Sequence, residues 1–215
     1  MPKPRSKNNK PVARKMHIYC EGKKTEPNYI GSYISDRFGG RLRDVIVVEN
    51  AKTNTPVQLV KEALAGKKGG GHPKGDSYWV VFDRESKAKY KDSLHDTAFD
   101  LAKANDINIA LTNVCFEYWL LLHFVTTNAP YDCFDDLMAQ SGLRAEFKKL
   151  TGQSYEKGAA NIYSVISSRV DDARRRALKI NLETLKSAPA NVTRPHLLNP
   201  YTDMPRLLDA IDSFQ

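Results

Sequence analysis

At 215 residues, with 41% hydrophobic and 27% charged residues, the chain has ordinary globular composition and is long enough for one large domain or a core with a smaller lobe. Lys and Arg outnumber Asp and Glu by 33 to 25, giving a net charge of +8 and a pI near 9.3, and such a field draws a polyanionic partner, nucleic acid above all. No apolar run approaches the roughly 18 to 20 residues of a membrane span, and the scattered Cys20, Cys115 and Cys133 give neither a disulfide framework nor a zinc spacing. A reducing cytoplasm is the expected location.

Residues 1–15 carry Lys3, Arg5, Lys7, Lys10, Arg14 and Lys15 among Pro2, Pro4 and Pro11. They lack the apolar region of a secretory signal and predict a disordered basic arm. A strand is expected at 16–20, then a turn at 22–25. Pro27 suits the first turn of a helix that places Tyr29, Ile30, Tyr33 and Ile34 on one face. Gly39 and Gly40 end that helix, and a second strand is expected at 44–49. Thr55 and Pro56 open the next helix, with Val57, Leu59, Val60, Ala63 and Leu64 at helical spacing. Residues 66–75 read as a flexible basic loop. It is not a phosphate-binding P-loop, because no strand precedes it and no Ser or Thr follows its Lys.

The pattern then repeats, with a strand at 78–82, an acidic turn at 83–85, a helix at about 91–104, a strand at 107–111 and a buried helix at 115–124. Strands alternating with helices predict an α/β fold, a doubly wound parallel sheet flanked by helices with right-handed crossovers. Beyond residue 125 the texture becomes helical and polar, over 131–150, 155–170, 171–185 and 204–214, with no strand expected. The expected organisation is therefore a basic arm (1–15), an α/β core (16–125) and a helical C-terminal section (126–215) packed on that core.

Chemistry concentrates where the apolar runs HIYCEG, SYWVVFDRE and IALTNVCFE end in carboxylates. Acids at the carboxyl ends of neighbouring parallel strands project into one crevice, the usual place for a site in an open sheet. Glu21, Asp83 and Glu85 are thereby candidates to share a divalent cation, and oxygen-only ligation suits Mg²⁺ or Mn²⁺. Glu117 sits at the start of an apolar helix, where it either favours the positive helix end or faces the strand ends. Glu26 either caps its helix or joins the surroundings of the metal. Lys23, Lys24 and Arg84 flank the acids and are candidates to hold phosphate. Arg174, Arg175 and Arg176 form a candidate patch for a nucleic-acid backbone. His123, Trp79 and Trp119 read as core.

The segments IYCEGKKTEPNY (18–29), WVVFDRE (79–85), LTNVCFEYWLLLHF (111–124), KGAANIY (157–163) and NPYTDM (199–204) together resemble the RloB family over nearly all of the chain after the arm. The resemblance implies a Toprim-like fold and a role in antiphage defence, restriction or abortive infection, often beside a separate ATPase. Toprim domains use a Glu after the first strand and a D-x-D pair after a later one. Glu21 matches the first element, and Asp83-Arg84-Glu85 matches the second with Glu in place of the last Asp. The resemblance thus implies a Mg²⁺- or Mn²⁺-dependent endonuclease, with Asp83 and Glu85 as metal ligands and Glu21 as ligand or general base. Two other readings stand beside it. One is a non-catalytic subunit that binds nucleic acid or an ATPase. The other is topoisomerase-like or primase-like activity, less expected because 215 residues leave little room for a further tyrosine-bearing domain and no nucleotide-site pattern is found. The oligomeric state is left open.

Overall fold

Successive side chains of the strand Ser77–Asp83 enter two different cores: Tyr78, Val80 and Phe82 pack on one face, Trp79 and Val81 on the other. That alternation, with both faces apolar, is what a strand covered by helices on both sides requires. A computed structural model describes residues 14–41, 45–69 and 75–214. It contains β1 (Met16–Cys20), α1 (Thr25–Phe38), β2 (Ile46–Glu49), α2 (Pro56–Lys68), β3 (Ser77–Asp83), α3 (Asp92–Ala104), β4 (Asn108–Asn113) and α4 (Phe116–Leu121). There follow α5 (Phe134–Gln140), α6 (Leu143–Thr151), α7 (Ile162–Ile166), α8 (Val170–Ser187), β5 (Tyr201–Thr202) and α9 (Met204–Asp212).

The sheet order is β2-β1-β3-β4-β5, parallel throughout except for the antiparallel pairing of β5 on β4. Helix α1 packs on one face with α4 and the C-terminal helices, whereas α2 and α3 cover the other through Leu59, Val60, Ala63, Ala98 and Ala102. The α/β architecture expected from the alternating pattern is therefore present, with a helical C-terminal part. One core holds Ile30 and Tyr33 of α1 together with Leu137, Phe147, Ile166, Ala177 and Leu208, so the section after residue 125 shares its interior with the sheet.

Several expectations change in detail. The C-terminal section does contain a strand: Thr202 and Asn113 belong to a short ladder in which Thr112 pairs with Thr202 and Asn113 with Tyr201. The loop expected from residue 66 begins later, because α2 runs through Gly66 to Lys68. Residues 70–74 of that loop, residues 1–13 of the arm and Asp44 of the second strand lie outside the described residues. The stretch 131–150, expected to be helical, holds two helices, α5 and α6, since Ser141 is extended and ends α5. Trp119 and His123 are fully buried and Trp79 nearly so, as core residues. Among the described residues no helix is long and apolar enough to cross a membrane.

Candidate active site

The chain leaves β1 through α1 to β2, then returns over the opposite face through α2 to β3, on the other side of β1. Strand order reverses there, and the carboxyl ends of β1 and β3 open a crevice. Glu21 follows β1, and its N–H continues the ladder to the Val81 carbonyl at 2.8 Å. Asp83 ends β3, and its N–H donates to Glu21 Oε2 at 3.1 Å. Glu85 follows with a backbone φ of 58°, the left-handed region that non-glycine residues rarely occupy and that gathers at functional sites. Its N–H donates to the Val114 carbonyl at 2.9 Å, which ties this turn to the end of β4. Glu117 enters from the first turn of α4 and Glu26 from the first turn of α1. A cleft of ≈ 370 Å³ is lined by Glu21, Glu26, Asp83, Glu85, Lys89 and Lys157 among others. A neighbouring cavity of ≈ 440 Å³ shares the Glu85 wall but is otherwise lined by groups such as Arg84, Asn113, Tyr131 and His196. The first cleft, which holds the convergent acids, is the better candidate for chemistry.

Crowded carboxylates dominate its electrostatics. Burial pushes the Asp83 carboxyl well above the usual carboxylate range, and the charges of Glu26, Glu117, Glu21 and Glu85 push it further. Burial likewise raises Glu21 to about 7, against the pull of the Asp83 N–H and with the added charge of Glu85. Glu26 is raised by burial, although its own N–H and that of Gly22 bond to it. Glycine at 22 leaves room for this carboxylate, since a Cβ there would stand 1.9 Å from Glu26 Oε2 and push the side chain aside. Two ammonium groups answer this charge: Lys89 Nζ lies 2.6 Å from Glu85 Oε1, and Lys157 Nζ lies 3.5 Å from Glu117 Oε1. Tyr155 donates to Glu117 Oε1 at 2.8 Å and Tyr90 to Glu21 Oε1 at 3.3 Å. Glu117 Oε2, by contrast, is buried without a hydrogen-bond partner among the described residues.

The crevice therefore brings together Glu21, Glu26, Asp83, Glu85 and Glu117, with Lys23 and Lys24 exposed along its lining. Arg84 is turned away and is only 2% exposed. Its guanidinium is spent on the carbonyls of His196 (3.2 Å) and Tyr90 (3.0 Å) and on Asp92 (2.5 Å), so it braces the acidic turn. The arginines of α8 have separate partners: Arg174 binds Asp209, Asp212 and the Tyr33 hydroxyl, Arg176 the Leu122 carbonyl, and exposed Arg175 pairs with Asp172. Sequence reasoning missed Lys89, Tyr90, Tyr155 and Lys157. The spacing of four from Glu85 to Lys89 was a usable signal, and Lys157 opens the quoted KGAANIY segment.

The donor set fits a hard divalent cation. It consists of carboxylate oxygens alone, one of them a buried oxygen without a partner, and their mutual repulsion calls for positive charge. As placed, no three His, Cys, Asp or Glu side chains among the described residues close around one metal position; Lys89 and Lys157 pair with Glu85 and Glu117 instead. No curated protein and no solved structure matches this chain. The family model described as RloB-like protein matches residues 16–211 and so spans every element that builds the cleft. By that match the chain belongs to the RloB-like protein family.

Proposed function

We propose that the protein is a metal-dependent nuclease of Toprim-like type, hydrolysing phosphodiester bonds of DNA or RNA as an antiphage defence effector controlled by a partner ATPase. The observation that carries this reading is the convergence of Glu21, Asp83 and Glu85 at the reversal point of the sheet, with Glu26 and Glu117 behind them. Bound Mg²⁺ or Mn²⁺ would polarise a phosphoryl oxygen and activate water. Asp83 and Glu85 are the residues to hold it, and Glu21 either joins them or accepts the proton of the attacking water. As the water oxygen bonds to phosphorus, the bond to the leaving sugar oxygen breaks. Lys157 neutralises the buried Glu117, while Lys23 and Lys24 meet the phosphate backbone without reading bases.

The second reading, a non-catalytic subunit that binds nucleic acid or an ATPase, draws on one observation: Lys89 and Lys157 already pair with two of the acids, Glu85 and Glu117. Incubation of the purified protein with plasmid DNA and with total cellular RNA, in Mg²⁺, Mn²⁺ or EDTA, separates the two. The nuclease reading expects cutting that needs metal and disappears in both Glu21→Ala and Asp83→Ala. Silence in every condition, repeated with a partner ATPase present, would leave the binding subunit.

A further inference from the structure

Of the two ammonium groups paired with acids at the cleft, Lys157 answers a carboxylate that is 1% exposed, whereas Lys89 stands at the mouth, 50% exposed over a Glu85 side chain that is 22% exposed. The backbone aims it there. Lys89 N and Tyr90 N both donate to the Ser86 carbonyl, at 3.1 and 3.0 Å, and the Ser86 hydroxyl accepts a second bond from Lys89 N at 3.2 Å. This tight turn folds the chain back so that Nζ reaches Glu85 Oε1 at 2.6 Å. An ammonium held on Glu85 Oε1 and a divalent cation on the same carboxylate oppose each other, because two positive charges would then stand only a few ångströms apart. An exposed ion pair of this kind is weak enough for a cation to break. The ammonium also has somewhere to go, since Nζ already lies 5.2 Å from the centroid of the Tyr90 ring, within cation–π range.

We propose that Lys89 is the internal counterion of Glu85 in the metal-free protein, that a divalent cation competes with it for that carboxylate, and that Lys89 thereby raises the metal concentration at which the protein becomes competent. The inference rests on the cation-binding part of the reading above. It makes Lys89 a residue that acts on the site through Glu85 rather than on the reacting atoms. It also fits the open arrangement of the acids, in which Glu85 is held by a lysine and, among the described residues, no three close around a common point.

The test is Mn²⁺ binding to the full chain, by calorimetry and by the electron paramagnetic resonance signal of free Mn²⁺, without nucleic acid or turnover. Lys89→Met keeps the length of the side chain and removes its charge, and should bind Mn²⁺ up to about fivefold more tightly than the wild type, the equivalent of losing one exposed ion pair. Lys89→Arg, which keeps the charge, should stay near the wild type. In a Glu85→Gln background the Lys89→Met change should have no effect on Mn²⁺ affinity. A wild type that binds Mn²⁺ while Lys89→Met binds it no more tightly would overturn the role of Lys89 and leave the metal reading standing. Absence of Mn²⁺ binding in both would overturn the metal reading itself. Binding by Lys89→Met alone would support the proposal.

Discussion

His123 shows how firmly this fold fixes protonation away from the cleft. Its Nδ1 faces the Trp119 carbonyl at 3.0 Å, which can only accept, so Nδ1 carries the proton and Nε2 accepts from the Tyr29 hydroxyl at 3.0 Å. Complete burial holds its pKa down to about 3, with the Arg176 and Arg169 charges acting the same way and the backbone bonds opposing them. Because the folded value lies below the ordinary one, the stability this neutral imidazole lends is full above about pH 6.5 and is lost as the pH falls toward the folded value. A His123→Gln variant should therefore be less stable near neutrality, yet its melting temperature should drop less than that of the wild type between about pH 7 and pH 5. Thermal melts followed by circular dichroism at the two pH values check this, and parallel slopes for the two proteins would refute it. That His123 belongs to the core was legible, since it stands in an unbroken apolar run. Arg84 was not: a basic residue between two acids reads as a phosphate ligand, and only the fold shows its guanidinium bonded to His196, Tyr90 and Asp92. Lys157 and Tyr155 escaped for a related reason, since they reach Glu117 across about forty residues of chain, a distance that no local periodicity encodes.

Strands β1 to β4 announce themselves as apolar runs long enough to fill both faces of a covered sheet, and the acids that end two of them were readable for the same reason. Strand β5 has only two residues, too few for any alternation to show, and its place is set by partners distant in sequence. The Thr202 hydroxyl meets Thr112 Oγ1 at 2.9 Å. Asn181 of α8 clamps the same residue from the other side, its amide donating to the Thr202 carbonyl at 2.8 Å and its Oδ1 accepting from the Thr202 N–H at 3.1 Å. Asn181→Ala leaves both backbone groups of a fully buried residue without those partners, and should cost about 1–3 kcal/mol. Urea unfolding of the two proteins measures it, and a change of under about 0.5 kcal/mol would show that the clamp is dispensable.

Division at residue 125 follows the change in sequence texture but not the course of the interior. Ile30, Tyr33 and Trp119 share one core with Leu137, Ile166, Ala177 and Leu208, and β5 completes the sheet from the far end of the chain. Residues 1–125 alone should therefore fail to fold cooperatively, since the apolar face of α1 and α4 would lose its cover. Loss of a sigmoidal thermal transition and of dispersed amide resonances is the expected outcome, and a cooperative melt of that fragment would contradict it. Synthesis makes the acids first and one of their counterions much later: Glu21, Asp83 and Glu117 leave the ribosome before Lys157 and Tyr155, which complete the surroundings of Glu117. Folding of the amino-terminal part ahead of the rest, the usual order during translation, would gather those carboxylates without the ammonium that pairs with Glu117. Their repulsion works against early closure, so the nascent chain cannot assemble the whole cleft before its helical section has been made.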